Sequence, residues 1–304
     1  MMVAITPVAL AQEGSPAFRS NVELVTIPCT VVDANGVAVK DLTRDEFVVY
    51  DNGVRRTIQN FWVDEDLPLT LDVLIDASAS QEQQLSEHRK TAVELLKRIL
   101  RPGDRAFVIY VAEEVRTWVD LTETEIEIDQ RMAEPPGKRF GEPCEKRSAS
   151  AELRPMSVCG SSPLWNALHD AAKMQMQPLK GSKALLILTD GFDSGSSKTW
   201  RQAADEAAKA NTQVYALQYQ SGFGKTFAPD LYRLVGETGG TTFRAVTSEY
   251  ESMVSRLETD LRRHYVVGFR PEQLSGKIRH EVRVEVVHSN LTVRARKTYF
   301  YDQP

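Results

Sequence analysis

The stretch Leu71-Asp72-Val73-Leu74-Ile75-Asp76-Ala77-Ser78-Ala79-Ser80 most constrains what this chain can fold into. Its first part is an apolar run, the pattern of a strand buried on both faces of a parallel sheet. Its end, Asp76-x-Ser78-x-Ser80, delivers one carboxylate and two hydroxyls just past that strand. In open α/β sheets, ligands bind beyond the carboxyl ends of the strands. Three hard oxygen donors at such a place suit Mg²⁺, which takes near-octahedral oxygen coordination and keeps several waters.

Around this stretch, from about Leu67, strands alternate with helices, which implies a mostly parallel sheet with helices on both faces. The pattern predicts a strand over Thr70–Ile75, a helix over Glu82–Leu100 and a strand over Arg105–Ala112. Val115–Leu121 follows a tight turn and reads as one antiparallel edge strand. Glu123–Met132 reads as a short helix, and Pro135–Cys159 as a long polar loop. A helix from Pro163 carries Leu164, Leu168, Ala171, Ala172 and Met176, with Trp165 and Met174 read as packing residues. Then come strand Lys183–Thr189, helix Thr199–Ala210, strand Gln213–Tyr219, helix Pro229–Thr238, strand Thr241–Val246 and helix Ser248–Arg262, capped by Ser248 with Glu251.

Both ends of the chain are β-rich. Val22–Val32, Phe47–Tyr50 and Thr57–Trp62 precede the α/β part; His264–Phe269, Ile278–Val287 and Leu291–Phe300 follow it. Asn35-Gly36 and Asp51-Asn52-Gly53 supply turns, Thr43 with Glu46 a capping box, and Pro28 an edge position or a bulge. Neither end buries enough apolar surface alone. The expected solution is one small β-sandwich built from 21–66 and 263–304, with the α/β domain 67–262 inserted and 1–20 as a tail.

Composition excludes some classes. The net charge is -5, with no long basic block beyond the local Arg294, Arg296 and Lys297, which argues against a nucleic-acid binder. Three cysteines, Cys29, Cys144 and Cys159, form no zinc pattern; Cys144 and Cys159 could pair, with Cys29 left as a buried strand residue. His88, His169, His264, His280 and His288 lack ligand spacing. Met1–Gln12 is apolar and closes on Ala9-Leu10-Ala11, the end of a secretory signal, so a secreted, periplasmic or envelope location is expected. No run approaches the roughly 20 apolar residues of a spanning helix.

Asp76-x-Ser78-x-Ser80 resembles the metal-ion-dependent adhesion site of von Willebrand factor type A domains. That family adds a hydroxyl from a Gly-x-Thr-x-Leu-like stretch, here Gly160-Ser161-Ser162-Pro163-Leu164, so Ser162 matches the Thr position. Serine keeps the hydroxyl but loses the methyl that stiffens the rotamer. The family also adds an Asp-Gly after an apolar strand, here Asp190-Gly191 after Ala184–Thr189. The whole order is similar to exported bacterial proteins described as von Willebrand factor A-related. The matching pieces include Val31–Gly36, Leu42–Phe47 and Arg294-Ala295-Arg296-Lys297-Thr298-Tyr299. The resemblance implies a Rossmann-like doubly wound domain and a site of Asp76, Ser78, Ser80, Ser162 and Asp190 for Mg²⁺, with Mn²⁺ or Ca²⁺ as alternatives. Asp193 is a further candidate, in the layer behind those ligands, or else a turn residue.

The resemblance also implies a partner: two carboxylates nearly neutralise the ion, while hydroxyl ligands leave it electrophilic enough to take an Asp or Glu side chain of another protein. The expected function is therefore an exported binding module and not an enzyme. Two alternatives stand beside it: a structural part of an envelope assembly with a vestigial site, and a metal-dependent hydrolase. Against the hydrolase, no nucleophile with a paired base and no Gly-Lys-Ser/Thr phosphate loop is readable.

Overall fold

The computed structural model describes residues 24–65, 67–78, 80–81, 84–112, 115–122, 128, 130–132, 162–221, 228–246, 250–271 and 278–301. The signal segment, most of the expected helix at Glu123–Met132, the 135–159 loop with Cys144 and Cys159, and the Ser248 cap lie outside the described residues.

The chain is mixed α/β, with one mostly parallel sheet and two antiparallel ones. The parallel sheet holds β5 (Leu69–Asp76), β6 (Arg105–Val111), β7 (Val115–Thr122), β8 (Ser182–Thr189), β9 (Gln213–Gln218) and β10 (Thr242–Arg244). Their order is β10-β9-β8-β5-β6-β7, and only β7, at one edge, is antiparallel to its neighbour. Every residue of β5 is buried, because helices cover both of its faces.

Helices α1 (Leu85–Ile99) and α5 (Tyr250–Arg262) pack on one face. Helices α2 (Leu164–Asp170), α3 (Trp200–Lys209) and α4 (Pro229–Thr238) pack on the other. α1 buries Ala92, Leu95, Leu96 and Ile99 at helical spacing, and each fully buried leucine contributes roughly 2 kcal/mol. It starts at Leu85, after the expected Glu82, and before it Gln81 N donates to Ser78 O and Gln84 N to Gln81 O. It ends where Asp104 gathers three elements. The Asp104 carboxylate accepts from Arg101 N (2.6 Å) and Leu69 N (2.8 Å) and pairs with Arg262 of α5.

α2 continues as a π-helix over Ala171–Met176, which the sequence did not announce. Each wider turn rotates later residues round the axis. Met176 stays buried while Met174, expected to pack, is 69% exposed. Lys183 Nζ donates to the Met176 and Leu179 carbonyls at 3.0 and 2.9 Å, satisfying acceptors at this end.

The antiparallel sheets draw on both ends of the chain. One has the order β13-β1-β11-β4, from β1 (Val25–Val32), β4 (Ile58–Asp64), β11 (His264–Phe269) and β13 (Thr292–Ala295). The other has the order β14-β12-β2-β3, from β2 (Phe47–Asp51), β3 (Val54–Arg56), β12 (Arg279–Val286) and β14 (Thr298–Phe300). Ile27, Val31, Val267 and Phe269 of the first share a core with Phe47, Val49, Val282 and Tyr299 of the second. The rings of Phe47 and Tyr265 lie 5.1 Å apart across it.

One expectation needs correction here, and one is refined. Leu291–Phe300 is not one strand: it breaks at Arg296-Lys297, and its halves lie in different sheets. Pro28 lies on an inner strand, β1 between β13 and β11, yet at a local edge position, and its pairing with Val266 continues the regular register without a bulge. The β13 ladder ends at Cys29, and Arg296 reaches past that end to the Thr26 carbonyl. Backbone direction repeats every second residue, so the Pro28 nitrogen faces the same open side and its missing N–H costs no ladder bond.

Candidate functional site

β5 and β8 are adjacent parallel strands, with Leu74 opposite Ile187 and Ile75 opposite Leu188. Their carboxyl ends therefore emerge side by side, carrying Asp76 and Asp190 into one place. Asp76, Ser162 and Asp190 are at most 1% exposed and Ser78 is 6% exposed, whereas Ser80 is only partly buried and opens the group to solvent.

The five side chains expected to act together do meet. Ser78 Oγ and Ser80 Oγ are 3.0 Å apart, and Ser80 Oγ donates to Asp190 Oδ2 at 2.7 Å. Ser162 Oγ donates to Asp76 Oδ1 at 3.2 Å, and Ser78 N to the same oxygen at 3.0 Å. Ser162 is held by a two-way bridge: its N–H donates to Ser194 Oγ, and its carbonyl accepts from Ser194 N. Asp193 makes none of these contacts. Its Oδ1 accepts from Trp165 N (3.1 Å) and Ser196 Oγ (2.5 Å), so it caps the start of α2 and closes the 193–196 turn.

Two further residues hold the carboxylates and a third holds the Asp190 main chain, and little in the local sequence marks any of them. Thr189 Oγ donates to Asp76 Oδ2 at 2.5 Å and accepts from Gly191 N at 2.8 Å. Gln81 Nε2 donates to Asp190 Oδ2 at 3.0 Å. Gln218 Nε2 reaches the Asp190 carbonyl at 3.3 Å, while Gln218 Oε1 accepts from Tyr232 of α4. The period-2 alternation of β8 puts Thr189 on the Asp76 side, which is the one signal that could have found it. Gly191 has φ +85, and a Cβ there would sit 2.6 Å from Ala228 and 2.8 Å from Leu231, so the Asp-Gly pair is needed by packing as well as by conformation.

Burial pushes the Asp76 carboxyl up to about 6; the Thr189 and Ser78 donors oppose this, and the Asp190 charge adds to it. Beneath the site, His88 of α1 is fully buried, with Nδ1 3.3 Å from the Asp76 carbonyl and its ring 3.9 Å from that of Tyr219. Burial brings its imidazole down to about 4, so it is neutral near pH 7.

This donor set fits a hard divalent cation: two carboxylates and three hydroxyls, with no sulfur or imidazole among them. Oxygens adjacent around an ion bound at about 2.1 Å lie about 3.0 Å apart. The separations of 2.7, 3.0 and 3.2 Å match that edge. Hydrogen bonds have the same length, so a cation could take the place of these hydrogen bonds, each hydroxyl keeping its proton and turning it outward, with little movement of the oxygens.

No protein-family model matches the chain, and no curated protein matches it. Among solved structures it is similar to the conserved hypothetical protein BatB from Bacteroides thetaiotaomicron. That likeness has 14% identity and TM-score 0.44, over 63% of this chain and 98% of that one. It is also similar to proximal thread matrix protein 1 from the mussel byssus, with a zinc occupied MIDAS motif. There the identity is 13% and the TM-score 0.48, over 70% of this chain and only 50% of that one. A third is an aerotolerance-related membrane protein from Bacteroides fragilis, at 13% identity and TM-score 0.44, over 64% and 98%. These likenesses are loose, and the functional conclusion comes from this chain's own residues.

Proposed function

We propose that the chain is a metal-dependent protein-binding module. In this reading residues 67–262 form a von Willebrand factor type A domain carried on a β-sandwich of 21–66 and 263–304. Asp76, Ser78, Ser80, Ser162 and Asp190 hold Mg²⁺, or Mn²⁺ or Ca²⁺ in its place. The observation that carries the reading is the convergence of five oxygen-bearing side chains, from three separated loops, at the carboxyl ends of β5 and β8. When bound, the ion would supply an electrophilic position for an external carboxylate. The chain's own part is to hold the oxygens, and the half-buried Ser80 marks the side from which a partner's Asp or Glu would approach.

The role is one of binding, not catalysis. In this reading the site hydroxyls serve the cation as ligands, and His88 spends its contact on a main-chain carbonyl. An exported or envelope location rests on the Ala9-Leu10-Ala11 pattern. Among the described residues, no helix is long and apolar enough to cross a membrane.

The test is retention of the protein on immobilised peptides carrying a single Asp or Glu, against Asn or Gln controls. The reading expects retention that needs Mg²⁺ and is lost in EDTA and in Asp76→Ala. Retention indifferent to EDTA would reject it.

A further inference from the structure

Gln81 follows the last serine of the motif and is fully buried. Its Nε2 faces three oxygens: Asp190 Oδ2 at 3.0 Å, the Ser80 carbonyl at 3.1 Å and the Gln220 carbonyl at 3.5 Å. The reverse orientation would set the amide oxygen against a carboxylate and two carbonyls, so the chemistry fixes which end points inward. The cost falls on Oε1, which is buried with no hydrogen-bond partner among the described residues. A chain that leaves one end of a buried amide unsatisfied, in order to keep the other end on a site carboxylate, points to function.

The Gln220 carbonyl also accepts from Gln84 Nε2 at 3.1 Å. Two glutamines from the turn after β5 thus clamp the segment after β9, and one of them also holds Asp190. The donor to Asp190 is neutral. A lysine or arginine there would cancel the attraction of the site for a cation. A glutamate of the same shape would add a third negative charge.

We infer that Gln81 is a positioning residue that holds Asp190 while keeping the site at two carboxylates, and so sets the balance between cation affinity and the cation's remaining appetite for an external carboxylate. This rests on the metal-site reading above. It makes the two affinities move in opposite directions when charge is added, whereas a merely structural role moves them together.

The experiment uses the full chain, freed of metal by EDTA and dialysis, as wild type, Gln81→Glu and Gln81→Leu, with circular dichroism to check folding. Mn²⁺ binding is read from the loss of its free paramagnetic signal. Carboxylate capture is read from broadening of the acetate methyl resonance by protein-bound Mn²⁺. In Gln81→Glu, Mn²⁺ binding should tighten about tenfold, as expected when ligand charge rises, and acetate broadening per bound Mn²⁺ should weaken. In Gln81→Leu, Mn²⁺ binding should weaken about fivefold, as site rigidity is lost, with broadening per bound ion kept. If both variants bind Mn²⁺ and acetate like wild type, or if Gln81→Glu weakens both, the assignment to Gln81 is overturned. Should Gln81→Glu fail to fold, Gln81→Leu alone decides: wild-type Mn²⁺ affinity overturns it. A wild type that binds no Mn²⁺ overturns the metal-site reading itself, a result distinct from any failure confined to the variants.

Discussion

Asp72 lies in the middle of β5 and is fully buried, and neither carboxylate oxygen has a hydrogen-bond partner among the described residues. It faces Phe107 and Leu185 on the neighbouring strands. Burial alone pushes its carboxyl up to about 8. In the unfolded chain it titrates near 3.9. The folded pKa is raised, so between about pH 4 and pH 8 the folded chain keeps a proton that the unfolded chain has released. Stability therefore falls as pH rises through that window, by about 4 units at about 1.4 kcal/mol each, or roughly 5 kcal/mol. Asp72→Val removes the titration, and also removes an unpartnered polar group worth about 1–3 kcal/mol. Urea unfolding followed by circular dichroism at pH 4, 6 and 8, in EDTA, measures the difference from wild type. The advantage of the variant should be about 1–3 kcal/mol at pH 4 and should grow by roughly 5 kcal/mol by pH 8. Asp72→Asn, which cannot ionise but keeps the shape, should show the same growth from a starting offset near zero. An offset constant across the three pH values would refute the reasoning.

Other perturbations probe the frame around the site. Asp104→Ala leaves the partly buried Arg262 without its carboxylate and should cost about 3 kcal/mol in urea unfolding; an effect below about 1 kcal/mol would show the pair to be idle. Gly191→Ala meets Ala228 and Leu231 at an unfavourable φ and should lower stability by about 2–4 kcal/mol, seen as a fall in the thermal midpoint. Thr189→Val keeps the shape but strips Asp76 Oδ2 of its donor. It should cost about 1–2 kcal/mol and weaken Mg²⁺ binding in calorimetry, and unchanged binding would show that Thr189 does not orient the carboxylate.

Much of the frame was legible because local pattern and tertiary demand agree. Pro229 and Gly239 bracket α4 at its observed ends, since one presets a helical φ and the other takes φ +84. The Thr43–Glu46 capping box forms as the sequence indicates. Corners between sheets were not legible. β3 and β4 are separated only by Thr57, β13 and β14 only by Arg296 and Lys297, gaps too short to read as a break between strands. The second corner is held from outside, where Lys297 N donates to the Glu237 carbonyl and Arg296 reaches Thr26. In the candidate site, Asp76, Ser78 and Ser80 announce themselves by spacing and chemistry. Gln81 and Thr189 do not, because a glutamine in a turn and a threonine in a strand are ordinary locally and take their meaning from neighbours more than 100 residues away.

The central claim is that these oxygens hold one divalent cation, and calorimetric titration of Mg²⁺ into EDTA-stripped wild type and Asp76→Ala tests it most directly. The account predicts one saturable site in the wild type and none in Asp76→Ala, with circular dichroism showing that the variant is folded. Equal heats from the two proteins, or no binding by the wild type, would contradict it.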